Sequence, residues 1–210
     1  MDINYTIKFH TYWHCGSGLA AGGDADLLVV KDKDGVPFVP GKTIKGLVRE
    51  AVDLLFLDKI SKDAYKSVFG VTAKNKEDKE ENESYRSDAF FKDAALPDAE
   101  RKYIISKGLS EFLYQTISNT AITDEGIADD TTLRKIQVCV PCELEGKIIL
   151  DFPENIEEKD QIIMKNCILY SMKYIKRLGS WRNRGLGRCT FFSPLMIELE
   201  ASKDKKGGEA

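Results

Sequence analysis

Two clusters of cations and a pair of loop carboxylates carry the chemistry that this sequence offers. Between Ser171 and Thr190 the basic residues are Lys173, Lys176, Arg177, Arg182, Arg184 and Arg188, with no acid among them. Residues 178–188 (LGSWRNRGLGR) set Arg182, Arg184 and Arg188 among Gly179, Gly185 and Gly187. Glycines let backbone N–H groups approach an anion closely, and the planar arginine fork suits bidentate phosphate contact. Trp181, in the same stretch, offers a face on which a base can stack. Lys42, Lys45 and Arg49 form a second group at i, i+3 and i+7, one face of a helix. Its start, after Pro40-Gly41, is itself a place where anions are favoured. Asp24 and Asp26 follow a run of small residues, 16–23. An exposed carboxylate of pKa ~3.9 is a poor general base at neutral pH, but it can hold Mg²⁺ or orient a hydroxyl.

Each of these features also has a plain structural reading. The 178–188 stretch is then a tight turn with solvent-facing arginines, the helical cations are a solvated face, and the aspartates cap a turn. Cys139-Val140-Pro141-Cys142 has metal-ligand spacing, but no second pair lies near it, so the thiols read as packed side chains. His10 and His14 are the only histidines, too few for a centre built on several of them.

Net charge is −3, from 31 basic and 34 acidic residues, and its distribution matters more than its sum. The acids gather at Glu77, Asp78, Glu80, Glu81 and Glu83, and again over 151–160, away from both basic groups. Segregated charge permits a basic groove on an acidic protein, and a phosphate backbone senses local potential. No apolar run reaches the ~18–20 residues that span a bilayer, so no membrane partner is expected. The N-terminus has no secretory pattern. Five scattered cysteines read as reduced thiols, which places the chain in the cytoplasm.

The positioning elements follow from periodicity. Residues 3–13 alternate through Ile3, Tyr5, Ile7, Phe9 and Trp13, a strand with one buried face. Residues 25–31 read as a short strand and 32–35 (DKDG) as a turn. A helix begins near Lys42 and buries Ile44, Leu47, Val48, Ala51, Leu54 and Leu55. Residues 73–87 are almost devoid of apolar side chains and read as a solvated insertion. Residues 88–96 predict a strand, 101–132 have no clean period, and 133–142 and 147–152 predict two further strands. A helix over 157–178 and a last strand over 189–200 precede a disordered tail at 201–210. The coarse order strand, helix, strand, long excursion, strand, strand, helix, strand resembles an α+β, ferredoxin-like (RRM-like) βαββαβ core, one domain over 1–200 with insertions at about 65–100 and 115–133.

Four segments together resemble the CRISPR-associated RAMP superfamily, and within it the backbone subunits of type III effector complexes. They are His14-Cys15-Gly16-Ser17, the 34–41 turn (DGVPFVPG), Lys45-Gly46-Leu47-Val48-Arg49, and the glycine-rich stretch from Gly179 to Arg188. They lie in order over most of the chain, and it is their joint presence that is specific. The resemblance implies a subunit that binds CRISPR guide RNA and stacks head-to-tail with other RAMP subunits. RNA contacts would come from His14, Lys42, Lys45, Arg49, Trp181, Arg182, Arg184, Gly185, Gly187 and Arg188. The excursion at 118–132 would be a thumb-like hairpin that kinks the guide–target duplex. Asp26 matches the family's target-RNA-cleaving aspartate, which acts with a divalent metal such as Mg²⁺. It stands in Asp26-Leu27-Leu28-Val29-Val30-Lys31-Asp32, where Leu28 replaces the family's proline and Asp24 lies two residues off. Two other readings share these motifs: a non-catalytic structural subunit, and a metal-independent endoribonuclease that processes guide RNA.

Overall fold

Alternation in the first strand becomes the centre of a sheet. The computed structural model describes residues 1–19, 25–70, 86–122 and 126–207. In chain order the elements are β1 (Asp2–Phe9), β2 (Phe38–Val39), α1 (Gly41–Phe56), α2 (Lys62–Phe69), β3 (Phe90–Phe91), β4 (Ala94–Ala95), α3 (Asp98–Ser106), β5 (Tyr114–Ile122), β6 (Ala128–Cys139), β7 (Glu143–Ile149), α4 (Glu158–Tyr174), β8 (Cys189–Phe192) and α5 (Pro194–Gly207). β1 pairs antiparallel with β7 on one side and β8 on the other. β3 and β4 pair with β7, and β2 pairs with β4, so the path runs β2-β4-β7-β1-β8.

Ile3, Tyr5, Ile7 and Phe9 project from one face of β1, where Ile44, Val48 and Val52 of α1 and Met164, Ile168 and Met172 of α4 complete a continuous core. That core extends from Ile3 to Met196. Gly146 is required where β7 crosses β1, because a Cβ there would stand 2.3 Å from the Tyr5 ring. The start of α1 is equally close-packed. A Cβ on Gly41 would meet the Phe91 carbonyl oxygen at 1.9 Å. No helix among the described residues is long and apolar enough to cross a membrane.

β5 and β6 form a separate two-stranded ribbon, with a register shift between Asn119 and Ala121. The irregular, polar segment expected at 118–132 is therefore largely extended and paired. At its foot, a small second cluster of Ile136, Val138 and Leu186 packs with Tyr12, Ile117 and Trp181.

Several boundaries differ from the sequence expectation. Residues 25–31 make only isolated bridges, Gly16 to Val29, Leu27 to Ile136 and Lys31 to Pro37, and no regular strand. The last strand stops at Phe192, because Pro194 lacks the N–H a strand needs and suits the first turn of a helix. Residues up to Gly207 are helical, where a disordered tail was expected. Residues 88–96 supply two short strands, β3 and β4, in place of one. α3 has no counterpart in the sequence reading, since only Ile104 of its residues is buried. The acidic run at 73–87 lies mostly outside the described residues, as does Asp24.

Candidate functional site

After Phe9 the chain leaves the sheet and runs alongside β6, bridged to it at Trp13 and Cys139. Phe9 and Trp13 stack with centroids 4.5 Å apart, and Trp13 exchanges backbone hydrogen bonds with Cys139. His14 follows, 1% exposed. Its Nδ1 lies 2.7 Å from the Gln137 carbonyl oxygen, and its own carbonyl accepts from the Ser180 N–H at 2.8 Å. His14 thus clamps the first strand's extension to β6 on one side and to the basic loop on the other. Burial pushes its pKa below the usual histidine value, so the ring is neutral at pH 7. A neutral ring facing a carbonyl carries its proton on Nδ1.

The 178–188 loop is sewn to this segment. The Leu178 N–H donates to Gly187 O, the Gly187 N–H to Tyr12 O, and the Arg188 N–H to Thr11 Oγ1. Gly187 has φ +71°, and a Cβ there would lie 1.9 Å from Leu178 O. Its N–H is committed and its role is close packing, so it is not a free donor for an anion. Gly185, at φ +87°, has open space around it. Trp181 is the one non-glycine residue with positive φ among the described residues, at 57°. Such a backbone costs on the order of 1–3 kcal/mol and persists only where the surroundings hold it. Here the Arg184 N–H donates to Trp181 O at 2.8 Å, and the Arg184 guanidinium sits 5.0 Å from the ring centroid. Arg182, Arg184 and Arg188 are exposed. Within the loop region, Arg177 Nη1 donates to Arg182 O.

Asp26 is held against the ribbon. Its N–H donates to Lys135 O at 2.8 Å, and the Lys135 N–H donates to Asp26 Oδ2 at 2.7 Å. Gln137 continues this pairing, its N–H donating to Leu27 O and its side-chain oxygen accepting from the Val29 N–H. A cavity of about 460 Å³ results, with Asp26, Leu27, Arg134, Lys135 and Trp181 in its walls. The structure therefore brings Asp26 and Trp181 together and adds Arg134 and Lys135, which the sequence reading did not single out. Their signal was available as a basic pair on the strand that follows the polar excursion. Among the described residues, no three His, Cys, Asp or Glu side chains come together as a metal cage. Asp26 is the one carboxylate among the residues that line this cavity, and a single carboxylate could hold Mg²⁺ only together with substrate phosphate and water.

The helical cations divide. Lys42 is exposed on the first turn of α1. Lys45 is half-buried, and burial and then Arg49 lower its pKa from the usual lysine value. Arg49 is already engaged. Its Nε donates to the Tyr65 hydroxyl at 3.0 Å and stands 3.9 Å from Asp53, and Tyr65 in turn donates to Asp53 at 2.6 Å. Asp53 is i+4 from Arg49, a partner that lies just beyond the stripe considered in the sequence. The start of α1 holds a carboxylate too, since the Gly41 N–H donates to Asp93 Oδ1 at 2.7 Å. That position is not open to an outside anion.

The cysteines behave as packed thiols. All are free, and burial pushes Cys15, Cys142 and Cys189 up to about 12.

A family model described as the RAMP superfamily matches residues 6–190. No curated protein matches the chain. Among solved structures, the fold is similar to a chain of the type III-B Cmr-beta complex bound to cognate target RNA, with TM-score 0.68 and 14% identity over 92% of this chain and 97% of that one. It is similar as well to a chain of Cmr-beta in the apo state, with TM-score 0.66 and 15% identity over 92% and 97%.

Proposed function

Because the chain belongs to the RAMP superfamily, we propose that it is a guide-RNA-binding backbone subunit of a type III CRISPR effector complex and that Asp26 takes part in cleaving the target RNA. The observation that carries this reading is the placement of Asp26. An aspartate fixed by paired bonds to Lys135 shares one cavity with two cations and a strained tryptophan, at the foot of a projecting ribbon. The likeness of fold to Cmr-beta chains, one of them in a complex bound to cognate target RNA, supports it.

In this reading the strand order β4-β7-β1-β8 with α1 and α4 on one face is the ferredoxin-like βαββαβ core, one domain with two insertions. The β5–β6 ribbon is the thumb-like hairpin of the second insertion. Guide RNA lies along Lys42, Lys45 and the exposed arginines of the 178–188 loop, and other RAMP subunits continue the path head-to-tail in the cytoplasm. Recognition is of the backbone and its shape, because base pairing to the guide reads sequence.

Cleavage is attack of a target 2′-oxygen on the adjacent phosphorus: the O2′–P bond closes a 2′,3′-cyclic phosphate as the P–O5′ bond breaks, the 2′-hydroxyl proton passes to water, and the leaving 5′-oxygen takes a proton from water. Asp26 Oδ2 is tied to the Lys135 N–H, which leaves Oδ1 to accept from the 2′-hydroxyl and set its direction of attack. Arg134 and Lys135 place positive charge where the phosphate gains negative charge in the transition state. Asp26 Oδ1 is also the atom that would hold Mg²⁺, which supplies Lewis-acid stabilisation of the phosphoryl oxygens. Trp181 offers the stacking face that keeps the neighbouring base out of the way.

The test is Asp26→Ala in the assembled complex. Mg²⁺-dependent cleavage of guide-complementary RNA falls by at least about a hundredfold, the scale of lost positioning and charge stabilisation, while target binding stays within a few-fold of wild type. A non-catalytic structural subunit is the second reading. It is favoured by one observation, that both the backbone and the carboxylate of Asp26 bond to Lys135, as a purely structural clamp would. Wild-type complex that never cuts in Mg²⁺ or Mn²⁺ establishes that reading.

A further inference from the structure

A second cavity, of about 260 Å³, lies where the start of α1 meets the His14 segment and the beginning of the basic loop. Its walls include His14, Gly16, Lys42, Thr43, Gly179 and Ser180. His14 is 1% exposed, and among the described residues its ring makes one hydrogen bond, at Nδ1, to a carbonyl that can do nothing but accept. The other ring nitrogen, Nε2, therefore bears a lone pair with no donor among the described residues. Burial, which keeps the ring neutral, agrees with that assignment. Gly16 leaves the approach to this nitrogen open, since a Cβ there would stand only 3.2 Å from it.

The cavity thus has two unlike poles. One is Lys42; the Gly41 N–H is taken by Asp93, so an anion would rest on Lys42 rather than on the helix end. The other is a neutral, nearly buried acceptor that asks for a hydroxyl or amine donor. A phosphate alone satisfies only the first pole, and phosphate oxygens are repelled by the lone pair at the second. A phosphate with a hydroxyl one sugar away satisfies both.

We propose that this cavity holds one ribose-phosphate unit of the bound strand, with the phosphate at Lys42 and the 2′-hydroxyl donating to Nε2 of His14, so that His14 selects RNA over DNA. This rests on the RNA-binding reading above and gives it a chemical discriminator. The 2′-hydroxyl is the group by which a protein tells the two nucleic acids apart. A deoxyribose in the same place forgoes that hydrogen bond, at a cost that corresponds to roughly two- to tenfold in affinity.

The experiment measures binding of the full chain to labelled single strands of one sequence: all-RNA, all-DNA, and RNA with one 2′-deoxy or one 2′-fluoro sugar moved along it. A 2′-fluoro group keeps a ribose-like pucker but donates nothing. The proposal expects a sensitive position at which deoxy and fluoro sugars both weaken binding by roughly two- to tenfold. His14→Asn keeps an N–H for the Gln137 carbonyl and removes the far nitrogen, so it erases that sensitivity without changing the salt dependence. His14→Gln returns an oxygen acceptor near the Nε2 position and recovers part of it. Sensitivity to deoxy but not to fluoro, sensitivity that persists in a folded His14→Asn protein, or no sensitive position in wild type overturns the proposal while RNA binding stands. Wild type that binds no RNA overturns the functional reading along with it.

Discussion

The 178–188 loop and the first turns of α1 each carry three cations, and they hold them on opposite terms. In the loop, the backbone does the holding. Leu178, Gly187 and Arg188 exchange main-chain bonds with residues 10–14 and with each other, and Arg182, Arg184 and Arg188 remain exposed. In α1 the backbone is an ordinary helix and the side chains are committed. Arg49 is spoken for by Tyr65 and Asp53, Lys45 is half-buried beside Arg49, and only Lys42 stands clear. Equal charge in two places is therefore unequal capacity for a new phosphate. A rigid backbone frees its side chains for a ligand, whereas paired side chains must first give up a partner.

The largest effect expected from this contrast is on glycine. Gly187→Ala puts a Cβ 1.9 Å from a carbonyl oxygen at φ +71°, so the loop cannot keep its path and guide binding is lost with several degrees of melting temperature. Gly46→Ala on α1 meets nothing within 4 Å, and it raises stability by about 0.5–1 kcal/mol in a denaturant titration. Equal tolerance at the two positions would break the comparison.

A smaller effect sharpens it. Asp53→Asn weakens the hold on Arg49, so guide binding tightens, by roughly two- to threefold for the loss of an exposed i+4 pair. Arg49→Ala then weakens binding more in the Asp53→Asn background than in wild type. Additive effects in this double-mutant cycle would mean that Arg49 does not exchange Asp53 for RNA.

The smallest effect concerns acid. His14 has its pKa lowered by burial, so below the ordinary histidine value of ~6.5 the unfolded chain takes up a proton that the folded one resists. Stability contributed by the neutral ring is full above that pH and is lost as pH falls. Chemical denaturation at pH 7.5 and 5.5 shows a drop that shrinks in His14→Gln; an identical drop in both proteins would refute it.

The parts of this arrangement that were legible in the sequence are those with a strong period or a fixed backbone demand. β1 alternates cleanly, α1 repeats its apolar residues each turn, although Leu54 of the expected stripe is exposed, and Gly179 and Gly187 of the loop sit at close approaches. α3 was hidden because it buries only Ile104, which leaves no stripe to detect. The final strand was overextended because Leu195, Met196, Ile197 and Leu199 continue the apolar content of β8 beyond Pro194. Within the site, Asp26 and Trp181 could be named separately, but 155 positions apart in sequence nothing ties them; their meeting depends on β6 running between them. The same holds for Asp93 at the start of α1 and Gln137 at His14, partners supplied from far along the chain by the β3–β4 link and by β6.

The measurement that bears most directly on the account is the salt dependence of guide-RNA affinity, compared between wild type and an Arg182→Ala, Arg184→Ala, Arg188→Ala triple variant. Each phosphate contact on a single strand contributes roughly 0.7 to the slope of log affinity against log salt. The slope in the triple variant is expected to flatten by about 2, with near-wild-type thermal stability because these side chains are exposed. A folded triple variant with an unchanged slope would place the RNA on another surface and contradict the account.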